Sequence, residues 1–164
     1  MTTKLLFVCL GNICRSPAAE GVFLHLIEQR ELTDQFLVDS AGTGGWHVGN
    51  PADQRMQAAA MRRGIHLPSR ARQLERGDLE SFDHVLTMDR DNLRNVTSMA
   101  KEFGPEAQPR FASCSAMRVG QRPSRFQIPT TEVNRASSMF SIYLKMLAKA
   151  FQTTSWLQPL SANR

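Results

Sequence analysis

Residues 4–17 read Lys-Leu-Leu-Phe-Val-Cys-Leu-Gly-Asn-Ile-Cys-Arg-Ser-Pro. The first six are a short apolar run rich in β-forming side chains, ending in a glycine-containing loop. That pattern predicts a buried strand over residues 4–9. Pro17 suits the first turn of a helix. Val22, Phe23, Leu26 and Ile27 then recur at helical spacing through residues 18–30. Strand, tight loop and helix therefore follow one another directly.

Working outward, the same alternation continues. Residues 36–40 predict a second short strand. Residues 41–51 hold four glycines and a tryptophan and predict a loop. Asp53 is placed to cap a helix over residues 54–63, closed by Gly64. Residues 74–79 predict one more helical turn, 84–88 a third strand and 89–101 a helix. Strands alternating with helices imply an α/β fold: three layers, a four-stranded parallel twisted sheet, helices on both faces. In such sheets ligands sit at the carboxyl ends of strands, where the loop after Cys9 lies.

The whole chain is 164 residues, 41% hydrophobic and 21% charged, the size of one α/β domain. No apolar run is long enough for a membrane span, and no secretory leader is read at the start. Three cysteines, an odd number, do not suit a disulfide scaffold, so a reduced cytoplasmic setting is expected. The net charge of +5 is unevenly placed. Residues 1–108 carry 12 basic and 14 acidic side chains; residues 109–164 carry 8 basic ones and a single acid, Glu132. Basic and aromatic residues do not alternate along the tail in any regular pattern, so no nucleic-acid partner is expected, and no membrane either.

The loop carries the chemistry. Successive N–H groups between a strand and a helix N-terminus converge on a tetrahedral anion. The same field favours a thiolate at Cys9. A thiolate below a bound phosphate is a nucleophile in line with phosphorus. Arg15, six positions on, is able to grip two phosphate oxygens as a fork. Ser16 is placed to hydrogen-bond the sulfur. Cys14 lies in the same loop, close enough in sequence for a reversible disulfide with Cys9, or is there because it is small.

This loop resembles that of the low-molecular-weight protein tyrosine phosphatases. The resemblance runs from residue 4 to about 100. It takes in Asp39-Ser40-Ala41-Gly42-Thr43, the Trp46 loop, Asn50-Pro51-Ala52-Asp53, Arg70-Ala71-Arg72-Gln73 and Met88-Asp89. It implies hydrolysis of phosphotyrosine monoesters through a phosphocysteine at Cys9, with Arg15 binding phosphate. It implies a phosphate loop of Leu10, Gly11, Asn12, Ile13, Cys14, Arg15 and Ser16, held in shape by Asn12, Ser16 and Ser40. Trp46 and Asn50 would border the crevice for the aromatic ring. The expected partners are a phosphotyrosine protein or a small aryl phosphate, with inorganic phosphate as product. No cofactor or metal is expected. An arsenate reductase of the same fold would need further thiols, and beyond the loop there is only Cys114. A catalytically silent phosphotyrosine-binding module would keep the loop and lack the acid.

The family places a general-acid aspartate in an Asp-Pro-Tyr-Tyr motif near the C-terminus. Here no aspartate follows Asp91, and Tyr143 is the single tyrosine. Residues 127–133 admit the codons CAG ATC CCT ACT ACG GAG GTG. Taken from the third base, these spell Asp-Pro-Tyr-Tyr-Gly-Gly. In that frame residues 135–148 admit Gly-Phe-Glu-His-Val-Leu-Asp-Leu-Leu-Glu-Asp-Ala-Cys, an acidic amphipathic helix. Residues 110–117 admit Val-Arg-Leu-Met-Leu-Ser-Tyr, a good last strand. The expectation is a tail, residues 110–164, that is divergent or frame-shifted from a point within about 95–109. As written, the tail offers a weak strand at 110–115, a loop at 117–129 and a helix-compatible stretch at 137–151, too apolar around its circumference for one buried face. A domain of reduced stability is expected.

Overall fold

The apolar run opening the chain becomes the centre of the sheet in the computed structural model, which describes residues 2–103 and 110–113. Four strands form it: β1 Thr3–Cys9, β2 Phe36–Gly42, β3 His84–Thr87 and β4 Arg110–Ser113. All neighbours are parallel, in the order β2-β1-β3-β4. The expected last strand is present over the described residues 110–113 and pairs with β3 from His84↔Arg110 to Thr87↔Ser113. The expected loop at 117–129 and helix at 137–151 lie outside the described residues, as do Cys114, Glu132 and Tyr143.

Among the described residues, four helices accompany the strands: α1 Arg15–Glu28, α2 Gln54–Met61, α3 Arg76–Ser81 and α4 Arg90–Phe103. The first begins three residues before the apolar period is visible, because the loop after β1 runs straight into it. The second starts at Asp53, whose carboxylate accepts from the backbone N–H groups of Arg55 at 2.9 Å and Met56 at 3.4 Å. The third starts later than its apolar residues imply. Leu74 lies before the helix and donates its N–H to the Gly42 carbonyl at 2.7 Å. A 3₁₀ turn at Thr33–Gln35 carries no periodic signal in the sequence.

The unbroken apolar character of β1 follows from its burial on both faces. Leu5, Phe7 and Cys9 pack with Val22, Phe23 and Ile27 of α1 and Met56, Ala59 and Ala60 of α2. Leu6 and Val8 point the other way, towards Leu74, Leu79, Phe82, Val96 and Ala100. Phe23 meets Phe7 and Phe36 with ring centroids 5.9 and 5.4 Å apart. Fully burying one such side chain contributes about 1.5–3 kcal/mol. The chain leaves β1 to pair on one side with β2 and later on the other with β3. The carboxyl ends of β1 and β3 therefore open a crevice at the point where the strand order reverses.

Candidate active site

Cys9 closes β1 and Arg15 opens α1, so the six-residue spacing spans one turn of loop. Three carbonyls of that loop are tied outward. Cys9, Leu10 and Ile13 accept from the N–H groups of Thr43, Gly44 and Asp53 at 2.9, 2.8 and 2.7 Å. In a planar trans peptide the N–H points opposite to the C=O. Those bonds therefore turn the N–H groups of Leu10, Gly11 and Cys14 to the opposite side. Asn12 sits at φ 52°, left-handed backbone that asparagine tolerates. Its own N–H donates to Cys9 Sγ at 3.3 Å.

Gly42, at the end of β2, backs this loop. A Cβ there would lie 2.9 Å from the Leu10 carbonyl oxygen and 3.1 Å from the Asn12 nitrogen, so only glycine lets the two backbones approach.

The side chains below the loop form one buried network. Ser16 Oγ is 3.0 Å from Cys9 Sγ. The Asn12 amide donates to Ser16 Oγ and to Ser40 Oγ, each at 2.8 Å. Its carbonyl oxygen accepts from the Arg72 backbone N–H at 2.9 Å. Ser40 in turn donates to Glu20 Oε2 at 2.6 Å. Polar hydrogens thus surround the sulfur, where they stabilise negative charge. Burial, reinforced by the Asp53 and Cys9 charges, pushes the Cys14 thiol up to about 11. The two loop cysteines are not equivalent.

Arg15 reaches across the crevice and pairs with Asp89, two residues beyond the end of β3. Asp89 also accepts from the Asn92 N–H at 2.7 Å at the head of α4. One carboxylate therefore caps a helix and orients the guanidinium. Arg72 grips Asp39 and Asp78 with paired contacts between 2.8 and 3.0 Å. Burial works against its charge, but the two carboxylates outweigh it and hold its pKa above the ordinary arginine value. That cluster fixes the segment whose backbone holds Asn12.

The Trp46 loop lies beside this bowl through the Thr43 and Gly44 bonds. Trp46 is 71% exposed and lies over Gly44. The imidazole of His47 rests on Gly11, leaving 3.0 Å from its Cδ2 to a Cβ built there. Asn50 is exposed, with its N–H donating to His47 and its carbonyl accepting from Ala71.

The structure brings Cys9, Asn12, Arg15, Ser16 and Ser40 together and leaves Trp46 and Asn50 on the rim. Sequence reasoning missed Glu20, the Asp89–Arg15 pair and the role of Arg72. For Glu20 a signal existed: an acid one helical turn after Ser16, among Ala18, Ala19, Gly21 and Val22. The other two pairings join residues far apart in the chain and left no local trace.

Comparison with known proteins meets this geometry. The profile of the low molecular weight phosphotyrosine protein phosphatases matches residues 4–108. A Synechococcus sp. (strain WH8020) protein named "Uncharacterized protein in rpcF 3'region" is 95% identical over 65 residues, 40% of this chain and 100% of that one. The low molecular weight phosphotyrosine protein phosphatase of Pongo abelii is 46% identical over 101 residues, 62% of this chain. That match spans 64% of the relative, so the chain covers less than two thirds of its length. Among solved structures, YfkJ from Bacillus subtilis superposes with a TM-score of 0.79 at 31% identity, over 94% of this chain and 98% of that one. The profile match includes the whole loop from Cys9 to Ser16 and more than half of the chain, which belongs to the low molecular weight phosphotyrosine protein phosphatase family.

Proposed function

We propose that the chain is a protein tyrosine phosphatase of reduced turnover, acting on phosphotyrosine proteins or small aryl phosphates through a phosphocysteine at Cys9. The observation that carries this reading is the convergence of the Asn12 N–H and the Ser16 hydroxyl on Cys9 Sγ, with Arg15 at the loop's end. The Cys9 thiolate attacks phosphorus, an S–P bond forms and the P–O bond to the tyrosine breaks. Water then attacks phosphorus, inorganic phosphate leaves and the thiolate returns. Arg15 follows the phosphoryl oxygens through both steps. The exposed Trp46, with Asn50 on the same loop, suits an aryl group at the rim.

The first step needs a proton for the departing tyrosine oxygen. Residues 110–164 contain no aspartate. Its loss costs about 10²–10⁴-fold with a poor leaving group and less with a good one. The expected result is measurable hydrolysis of p-nitrophenyl phosphate, weak hydrolysis of phosphotyrosine peptide and loss of both in Cys9→Ser. Equal rates on both substrates with a bell-shaped pH profile would contradict the missing acid. Tight phosphopeptide binding with no turnover on either substrate would instead favour a silent binding module, which the absent aspartate also suits.

The same reading holds residues 110–164 to be translated in a shifted frame. The profile match stops at residue 108, where the charge changes sign. The coding nucleotide sequence decides it: a third base other than G in the Gln127 codon removes the aspartate and the idea. The setting proposed is cytoplasmic, where Cys14 would protect an oxidised Cys9 as a disulfide that cellular thiols reopen. Among the described residues, no helix is long and apolar enough to cross a membrane.

A further inference from the structure

Glu20 is an unusual residue for its place. It lies on α1, 6% exposed, on a helix otherwise buried through alanines, valine and phenylalanine. A buried carboxylate costs stability unless it is well satisfied, and apolar packing would suit this position at lower cost. The hydrogen bonds made by its carboxyl run to two hydroxyls, Ser40 and Ser69. The charged groups that act on it are Asp39 of β2, which opposes its charge, and Arg72, which favours it. Burial dominates and pushes the carboxyl above its ordinary range. The fold does not need this acid; the loop has a use for it.

The hydrogen bonds from Glu20 to Cys9 have one polarity. The Asn12 carbonyl oxygen is taken by the Arg72 N–H, so the amide nitrogen must face the serines. Both its hydrogens are spent, one on Ser16 and one on Ser40. Each serine accepts from Asn12 and has one hydrogen left. The hydrogen of Ser40, a residue 1% exposed, goes to Glu20. That of Ser16 has two acceptors in reach, Cys9 Sγ at 3.0 Å and the Ala41 carbonyl at 3.3 Å. Without Glu20 the Ser40 hydrogen would be buried unsatisfied, and Ser40 would have to turn away from Asn12. Asn12 would then lose one of the three bonds that hold its side chain.

We propose that Glu20 is a positioning residue for the nucleophile: its carboxylate anchors Ser40, and through Ser40 and Asn12 it keeps the Ser16 hydroxyl directed at Cys9. The proposal rests on Cys9 being the nucleophile. The group it acts on is the sulfur, through three side chains, and it touches no substrate.

The test is alkylation of Cys9 by iodoacetate across pH on the full chain, with inorganic phosphate as protecting ligand, read by peptide mass. The midpoint of the pH–rate profile should rise by about one unit in Glu20→Ala, which makes the reactive fraction about tenfold smaller at any pH well below both midpoints. Glu20→Gln, whose carbonyl still accepts from Ser40, should restore most of that shift. Ser40→Ala should match Glu20→Ala, and the double variant should shift no further than either single one. Thermal melts of each variant separate unfolding from repositioning. Should Glu20→Ala fail to fold, Ser40→Ala, which removes one oxygen from the middle of the path, carries the test. An unmoved midpoint in Glu20→Ala or Ser40→Ala, additive shifts in the double variant, or a Gln variant as shifted as the Ala one would each overturn the proposal. If the unsubstituted chain shows no phosphate-protected alkylation of Cys9 at all, the nucleophile assignment fails instead.

Discussion

Cys9 and Cys14 share a loop, yet their surroundings differ. The Cys14 thiol, pushed up to about 11, stays protonated at neutral pH, while donors converge on the Cys9 sulfur. One equivalent of iodoacetamide at pH 7 should therefore label Cys9 at least tenfold over Cys14, as peptide mapping will show; preferential labelling of Cys14 would contradict this. Glu20 has a folded-state pKa raised above its ordinary 4.5. Its contribution to stability is fully present below the unfolded value and is lost as pH rises through the raised one. Glu20→Gln should therefore flatten the decline in melting temperature above about pH 4.5, and an unchanged slope would sink that sign. Asp89 pairs with Arg15, so Asp89→Asn should lower kcat/KM about tenfold by loosening the guanidinium. The loop residues were legible because a nucleophile, glycine, arginine and serine at fixed spacing are local. Asp89 and Glu20 act across 74 and 20 positions, and only the folded sheet brings each to its partner.

The elements divide in the same way. β1 and α1 follow from apolar spacing, and α2 from Asp53, because strand period, helix period and cap are written in neighbouring residues. The start of α3 was displaced because the Leu74 N–H is claimed by Gly42 of β2, a tertiary bond that overrides local preference. Asp53 joins two elements: it caps α2 and its N–H holds the Ile13 carbonyl of the phosphate loop. Its pKa is lowered, first by the Arg55 side chain and then by the cap's backbone bonds. Asp53→Ala should cost about 1 kcal/mol in urea unfolding at neutral pH. The carboxylate's share is present above the unfolded value of 3.8 and lost as pH falls through the lowered one, so the two proteins should converge in acid. A difference that persists undiminished at low pH would show that the loss is packing and not charge.

At the scale of the molecule, a body of net negative charge built on a phosphate loop carries a basic tail beyond residue 109. The body was legible because family motifs and alternating elements agree through about residue 100. The tail was not, since its charge and composition match neither. A chain rebuilt with the alternative frame from 110 onward should gain about 10²–10⁴-fold on phosphotyrosine peptide and much less on p-nitrophenyl phosphate. A uniform gain on both would point to recovered stability instead of a recovered acid. The central claim is the covalent step at Cys9. The most direct measurement is mass analysis of the chain quenched in acid during turnover of p-nitrophenyl phosphate. One phosphoryl group is expected on the peptide holding Cys9, absent in Cys9→Ser, which should also be inactive. Sustained hydrolysis by Cys9→Ser, or turnover with the phosphoryl group on another residue, would contradict it.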